Sequence, residues 1–555
     1  MRRVCEFGDF SQREKFIWPR CFWLPPGCSI ARLLAIIGFI SLKMAMVAYP
    51  VSAQQPAPRR SMARSYFSSA RKALTAGDSA TALEKIRLAV ELDSHFAEAY
   101  LLLGLLEFQG GDTAKSIEHY KHALNLQPRS YSGHYNLALA YLREHRLPEA
   151  RAQLEHAVKL DVRQADAAYD LGIVLLELGE PSTALPHLRR ARTLNPRRPD
   201  VAFNIVRAEL EAGQVSEARA EAQASAKDLG SDFQWIAAIA QLFFMNAKPQ
   251  DAVLYFRKAN LLHPDDTEIR RHLAAAYLES QQPEEVLDVI KAPSTADDHY
   301  LRASADYLSG RFPDADQESE LALALAPDNP QILVLRARLL QRAGQQDAAL
   351  QVAQKAITLA PDWDEPYYLA GVSSYFIRRY EEASQNLARA RELNPNSARA
   401  FFLEAIALAN QGKLQDAEKC LRRAVALQAK NARFHCHLGI LLARENEYAK
   451  AQAFLRKAIQ LKPEYALSHY ELGKLLVYSK QFKQAAEELN QAVKHDPAMS
   501  AAYYQLARVY AKLGETEKSE RLLADFERLY QRQANDSQAV DQALDEDARK
   551  ETESP

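Results

Sequence analysis

The chain has 555 residues, 48% apolar and 25% charged, the mixture of an ordinary globular protein. Lys plus Arg (70) nearly cancels Asp plus Glu (71), which argues against a protein that tracks a phosphate backbone by bulk charge. Only 19 glycines are present, about half the usual share of roughly 7%, and alanine and leucine are abundant, so helices are favoured over sheets.

Residues 1–53 stand apart from the rest. A head carrying Arg2, Arg3, Arg13, Lys15 and Arg20 precedes an apolar run from Leu33 to Leu42, and Val51-Ser52-Ala53 follows with small residues. Basic head, short apolar core and small-residue site are the pattern of an export signal. The core is short for a bilayer span, which needs about 20 residues. Arg59, Arg60, Arg64, Arg71 and Lys72 lie beyond it and resist translocation. Three readings stay open here: a cleaved signal peptide, an uncleaved membrane anchor, or neither. The long head also fits a start codon downstream of Met1. The expectation is export, with the remainder on the periplasmic or extracellular side, tethered to the membrane only if the segment is uncleaved. Leu24-Pro25-Pro26-Gly27-Cys28 has the look of a lipid-attachment box but precedes the apolar run, so it is set aside. Residues 54–62 read as a proline-containing linker.

From 63 to 530 the chain repeats one pattern. Residues Ala466 to Pro497 show it well: two amphipathic helical stretches meet at the polar turn Ser479-Lys480-Gln481, and a proline closes the segment. Leu472 and Gly473 lie midway along the first helix, and Ala485, Leu489 and Ala492 line one face of the second. Two antiparallel helices approach closely only where side chains are small, so Gly473, Ala485 and Ala492 mark the contact and the leucines fill the seam. The same residues recur in phase: Leu103, Gly104, Tyr120 and Ala123; Leu171, Gly172, Ala184, Leu188 and Ala191; Gly371, Ala383, Leu387 and Ala390; Gly439, Ala451, Leu455 and Ala458. This pattern resembles the tetratricopeptide repeat, a helix–turn–helix of 34 residues. The resemblance covers roughly 63–530 and implies an all-α fold, an α-solenoid of about fourteen repeats wound into a right-handed superhelix.

Two places depart from the pattern. The fifth repeat has small residues, Ala218, Ala222 and Ser225, where larger knobs are expected, and no closing proline. In the seventh, Pro293 cuts the second helix short and the next repeat starts near Ala296, about five residues early. A shortened helix changes how neighbours stack, so a kink or hinge is expected around 280–296. The array is accordingly divided into an N-terminal part, 63–292, and a C-terminal part, 296–530. The last repeat carries Lys518, Glu520, Arg521 and Glu527 on its second helix, as a solvent-facing cap requires. Residues 531–555 are polar, cannot bury enough to stay ordered, and are expected to be a disordered tail.

The fifth position of most first helices is aromatic: Phe67, Tyr135, Tyr169, Phe203, Tyr300, Tyr368, Phe402, Tyr470 and Tyr504. In proteins of the family it resembles, that position faces the concave groove. The candidate partner-binding ladder is Tyr135, Tyr169, Tyr368, Phe402, Tyr470 and Tyr504, rings that would grip a peptide or a partner helix. The competing reading is that such rings only pack the scaffold. Asn136 and Asn204 hold the place of the asparagines with which some relatives clamp a C-terminal carboxylate, but Leu101 and Tyr169 stand where a lysine is needed.

No metal site is expected. His435 and His437 are two apart on a helix and diverge by about 200°, and His119 with His122 lacks a third ligand. Cys420 and Cys436 read as buried thiols, a disulfide requiring Cα atoms within about 7 Å. No phosphate loop, dinucleotide fingerprint, nucleophile elbow or zinc-protease motif occurs, and the repeats use up the chain, so neither catalytic residues nor cofactors are expected. The sequence therefore reads as a non-catalytic scaffold binding a protein or peptide, not nucleic acid, in assembly of an extracytoplasmic or envelope complex. The alternative is an accessory subunit of an enzyme or export machine whose partner supplies the catalysis.

Overall fold

The computed structural model describes residues 57–535. The segment expected to be a signal or anchor and residues 536–555 of the expected tail lie outside that range. Among the described residues there are 28 α-helices and no strand. Numbered in chain order, α1 is Ala57–Thr75, α2 Ser79–Leu92, α3 Ala97–Gln109, α4 Thr113–Leu126, α5 Tyr131–Arg143, α6 Leu147–Leu160, α7 Ala165–Glu177 and α8 Pro181–Leu194. Then follow α9 Pro199–Glu211, α10 Val215–Leu229, α11 Phe233–Met245, α12 Pro249–Leu262, α13 Thr267–Glu279 and α14 Pro283–Val289. The rest are α15 Ala296–Leu308, α16 Phe312–Leu325, α17 Pro330–Arg342, α18 Gln346–Leu359, α19 Asp364–Phe376, α20 Tyr380–Leu393 and α21 Ala398–Asn410. Last come α22 Leu414–Leu427, α23 Ala432–Arg444, α24 Tyr448–Leu461, α25 Ala466–Tyr478, α26 Phe482–His495, α27 Ser500–Leu513 and α28 Thr516–Asn535.

Two boundaries differ from the sequence reading. Residues 57–62, read as linker, are already helical, because Pro58 falls in the first turn of α1, where its missing N–H is no loss. At the other end α28 runs on to Asn535, past the expected start of the tail at 531.

Odd-numbered helices are the first (A) and even-numbered the second (B) of each repeat. The A–B contact is set by reciprocal size at the eighth position of both helices. A Cβ added at Gly371 would lie 2.5 Å from Leu387 Cγ, and one at Gly473 would lie 2.7 Å from Leu489 Cγ. Gly104 faces Tyr120 and Gly172 faces Leu188 in the same way. In the fifth repeat the sizes are exchanged, with fully buried Val206 on α9 and fully buried Ala222 on α10. The small residues there are thus accommodated by a larger partner, although α10 touches α11 less than other B helices touch the next A helix.

Each A–B turn holds one residue in the left-handed region. These are Gly77, Gly111, His145, Gly179, Gly213, Ala247 and Gln281, then Gly310, Gly344, Arg378, Gly412, Asn446, Lys480 and Gly514. They recur every 34 residues except from Gln281 to Gly310, a step of 29. The lost residues come from α14, which is only seven residues long. Thr295 and Asp298 then form a capping box that starts α15.

The described residues fall into two compact bodies that divide between Gln282 and Pro283. This division lies inside the stretch 280–296 that the sequence marks as irregular. Within each body, B helices pack on the A helix before and after them, and the core is a continuous line of alanines and leucines. This is how repeats too thin to bury their own apolar faces obtain a core.

Candidate interaction surface

The six rings of the candidate ladder occupy different environments. In the N-terminal body, the Tyr135 hydroxyl donates to Asp170 Oδ2 at 2.8 Å, and the ring stacks on Tyr131 with centroids 5.7 Å apart. Tyr169 is 7% exposed; its oxygen accepts from Asn204 Nδ2 at 3.1 Å, and the Arg198 guanidinium lies 4.5 Å from its ring. In the C-terminal body, Tyr368 is 2% and Phe402 1% exposed. Phe402 stacks on Phe434 at 4.9 Å and meets the edge of His437 at 5.0 Å. These two rings are core, because the next A helix covers them, and they offer no face to a partner. Tyr470 is half-buried, and Tyr504, at 41%, is exposed.

Sequence reasoning missed the charges that accompany the rings. Burial raises the Asp170 carboxyl to about 7, with Asp166 and Asp200 adding to the rise while the Tyr135 hydrogen bond and Arg198 oppose it. In the C-terminal body, Glu365 is 6% exposed and sits between Arg338, 2.8 Å away, and Arg399. Burial pushes its carboxyl up, but Arg399 and Arg338 outweigh this and hold it below the usual range. Cations also cover the rings: Arg399 lies 4.2 Å from the Tyr368 ring, Lys474 5.1 Å from Tyr470 and Arg508 5.7 Å from Tyr504. A signal for the Tyr135–Asp170 tie was available, since the two are 35 apart, one repeat plus one residue.

Three successive A helices of the C-terminal body share a recess of about 170 Å³. Tyr375 and Phe376 come from α19, Ile406 and Asn410 from α21, and Ile440 and Arg444 from α23. Polar groups of Asn410, His437 and Arg444 stand beside the apolar Ile406, Ile440 and Leu441, a mixed lining with room for one anchoring side chain of an extended ligand.

The other singled-out residues have structural partners. His435 Nε2 lies 3.0 Å from the Ala429 carbonyl oxygen, His119 Nδ1 2.6 Å from Glu107 Oε2 and His122 Nε2 3.3 Å from the Ser94 carbonyl oxygen. Asn204 is fully buried and bonded to Tyr169, so it is tied into the scaffold. Cys420 and Cys436 are both free and buried, and burial, followed by the Glu404 charge, pushes the Cys420 thiol up to about 12. None of the described helices is long and apolar enough to cross a membrane.

Comparison with known families agrees with this architecture. Models described as "Tetratricopeptide repeat" match residues 175–242, 442–497 and 476–539, residues 135–184, 368–419 and 402–466, and residues 330–362. One described as "TPR repeat" matches 104–144. The chain belongs to the tetratricopeptide repeat superfamily, whose members are generally non-catalytic scaffolds for protein–protein interaction. No curated protein matches the sequence. Among solved structures it is similar to the APC/C hetero-tetramer Cut9–Hcn1, at 15% identity over 79% of this chain and 95% of that one, with a TM-score of 0.41. It is also similar to YrrB, described as a TPR protein with an unusual peptide-binding site (22% identity, 33% and 95% covered, TM-score 0.30). MamA matches at 24% identity, with 31% and 93% covered and a TM-score of 0.29.

Proposed function

We propose that the chain holds an extended segment of a partner protein along the A-helix face of its C-terminal body, as a scaffold for assembly on the far side of a membrane. The recess shared by α19, α21 and α23 carries this reading, because one ligand lying across the three helices would contact all of them at once. Half-buried Tyr470 and exposed Tyr504 stand at the fifth position of the next two A helices toward the C-terminal end. Preformed, stacked helices lose little conformational freedom on binding, which suits capture of a flexible segment. The basic, apolar and small-residue pattern of residues 1–53 supports a location outside the cytoplasm.

Selection of a random dodecapeptide library on the immobilised full chain tests the reading. Selected peptides should lose at least tenfold in affinity for Ile406→Ser and Ile440→Ser, with circular dichroism unchanged. Failure to select any peptide, or selection of peptides indifferent to both substitutions, contradicts it.

A further inference from the structure

Charge is sorted along the chain in a way its near-zero total conceals. Positions 2, 6, 9 and 13 of an A helix follow one another at three- and four-residue steps and so share a stripe. The recess confirms the stripe's direction, since Ile406, Asn410, His437, Ile440 and Arg444 hold such positions and all line it. From α17 to α25 this stripe carries Arg338, Arg342, Arg399, Arg433, Arg444 and Lys474. In α27 it adds Arg508 and Lys512.

Against these eight cations the stripe of the C-terminal body has three carboxylates, Asp297, Glu365 and Glu471. Glu365 is bonded to Arg338 and Arg399, and Glu471 is 2.8 Å from Lys474. Cations outnumber carboxylates on this stripe. The same four positions from α3 to α13 in the N-terminal body give the reverse: eight carboxylates, Asp166, Asp170, Glu177 and Asp200 among them, against Arg143 and Arg207. Ahead of them, α1 is basic through Arg64 and Arg71. A chain of 70 cationic and 71 anionic residues has therefore placed opposite signs at equivalent positions of its two bodies.

The cations are also positioned. Arg399, Lys474 and Arg508 lie over the rings of Tyr368, Tyr470 and Tyr504, and Arg444 Nη2 donates to the Ala409 carbonyl oxygen at 3.3 Å. A ring or carbonyl that holds a long side chain lowers the entropy lost when its remaining N–H groups bind a ligand.

We propose that the partner segment held by the C-terminal body is acidic, with Asp and Glu side chains spaced along the cationic stripe and one apolar side chain seated in the recess. This rests on the peptide-binding reading above. Charge complementarity selects the segment and speeds its capture, while the apolar contact holds it.

The test uses the dodecapeptides selected on the full chain. They should be net negative, and the triple variant Arg444→Glu, Lys474→Glu, Arg508→Glu should bind them at least tenfold more weakly while keeping its helical content. Raising NaCl from 50 to 300 mM should weaken wild-type binding at least tenfold. Selected peptides that are neutral or basic, and lost with Ile440→Ser but not with the charge reversals, overturn the acidic assignment and leave the binding face in place. Absence of any peptide dependent on Ile406 or Ile440 overturns both. Residues 536–555 contain Asp541, Asp545, Glu546 and Asp547. If a chain lacking them binds acidic peptides and the full chain does not, the occupant is this chain's own terminus and the proposal of a separate partner fails.

Discussion

The Tyr135 hydroxyl and the Asp170 carboxylate meet at 2.8 Å across the seam between the third and fourth repeats. The same offset of 35 residues joins Asn204 to Tyr169, Arg143 to the Phe108 carbonyl oxygen and Arg444 to that of Ala409. Neighbouring A helices are thus tied sideways by polar contacts laid over the apolar seam, and each tie fixes the lateral register of one repeat on the next.

Asp170 makes the N-terminal body sensitive to pH. Its carboxyl is raised in the fold from an ordinary value of 3.8 to about 7, mainly by burial. A carboxyl raised by folding contributes stability that is present in full below its unfolded value and lost as pH rises through its folded value. Asp170→Asn keeps an acceptor for Tyr135 and removes the charge. It is expected to stabilise the protein at pH 8 by about 1–3 kcal/mol, the order of a buried charge relieved. The difference should shrink toward pH 4, as read by thermal melts across that range.

Reciprocal size at the A–B contact gives a second expectation. Gly371→Val drives a branched side chain into Leu387, whose Cγ is 2.5 Å from the added Cβ, and should cost about 2 kcal/mol by overpacking. Leu387→Ala opens room for the same branch. The double variant should therefore lose less than the sum of the two single losses in a thermal-denaturation cycle.

Lys480 and Ala247 hold left-handed backbone without being glycine, at φ 59° and 55°. Each is expected to gain about 1 kcal/mol on replacement by glycine, since the left-handed region disfavours a Cβ by about that amount. Gly412→Ala, at φ 81°, should lose a similar amount. Shifts in melting temperature of similar size and opposite sign check both.

The ladder positions should separate cleanly by stability. Phe402→Ala empties a core site and is expected to cost about 3–5 kcal/mol. Tyr504→Ala, at an exposed ring, should stay within about 1 kcal/mol. Equal losses at the two positions in urea denaturation would contradict the burial described for them.

The repeat itself was legible in the sequence because its signal is doubled. Gly473 opposite Leu489 records a helix contact, and the 34-residue recurrence records the stacking. The short step at the seventh repeat was visible too, through Pro293. What escaped was lateral. Whether Phe402 is covered depends on Phe434 and His437 one repeat later, and a helix-by-helix reading of the fifth position cannot weigh that cover. Exposed Tyr504 and buried Tyr368 occupy the same place in the pattern, and only the neighbour differs. The role of Asp170 was hidden for the same reason, since its partner is one repeat away.

Hydrogen exchange of the full chain, with and without a selected dodecapeptide, tests the binding face most directly. The A helices α19, α21 and α23 should gain protection while α20, α22 and α24 change little. Protection centred on the B helices, or confined to the N-terminal body, would contradict it.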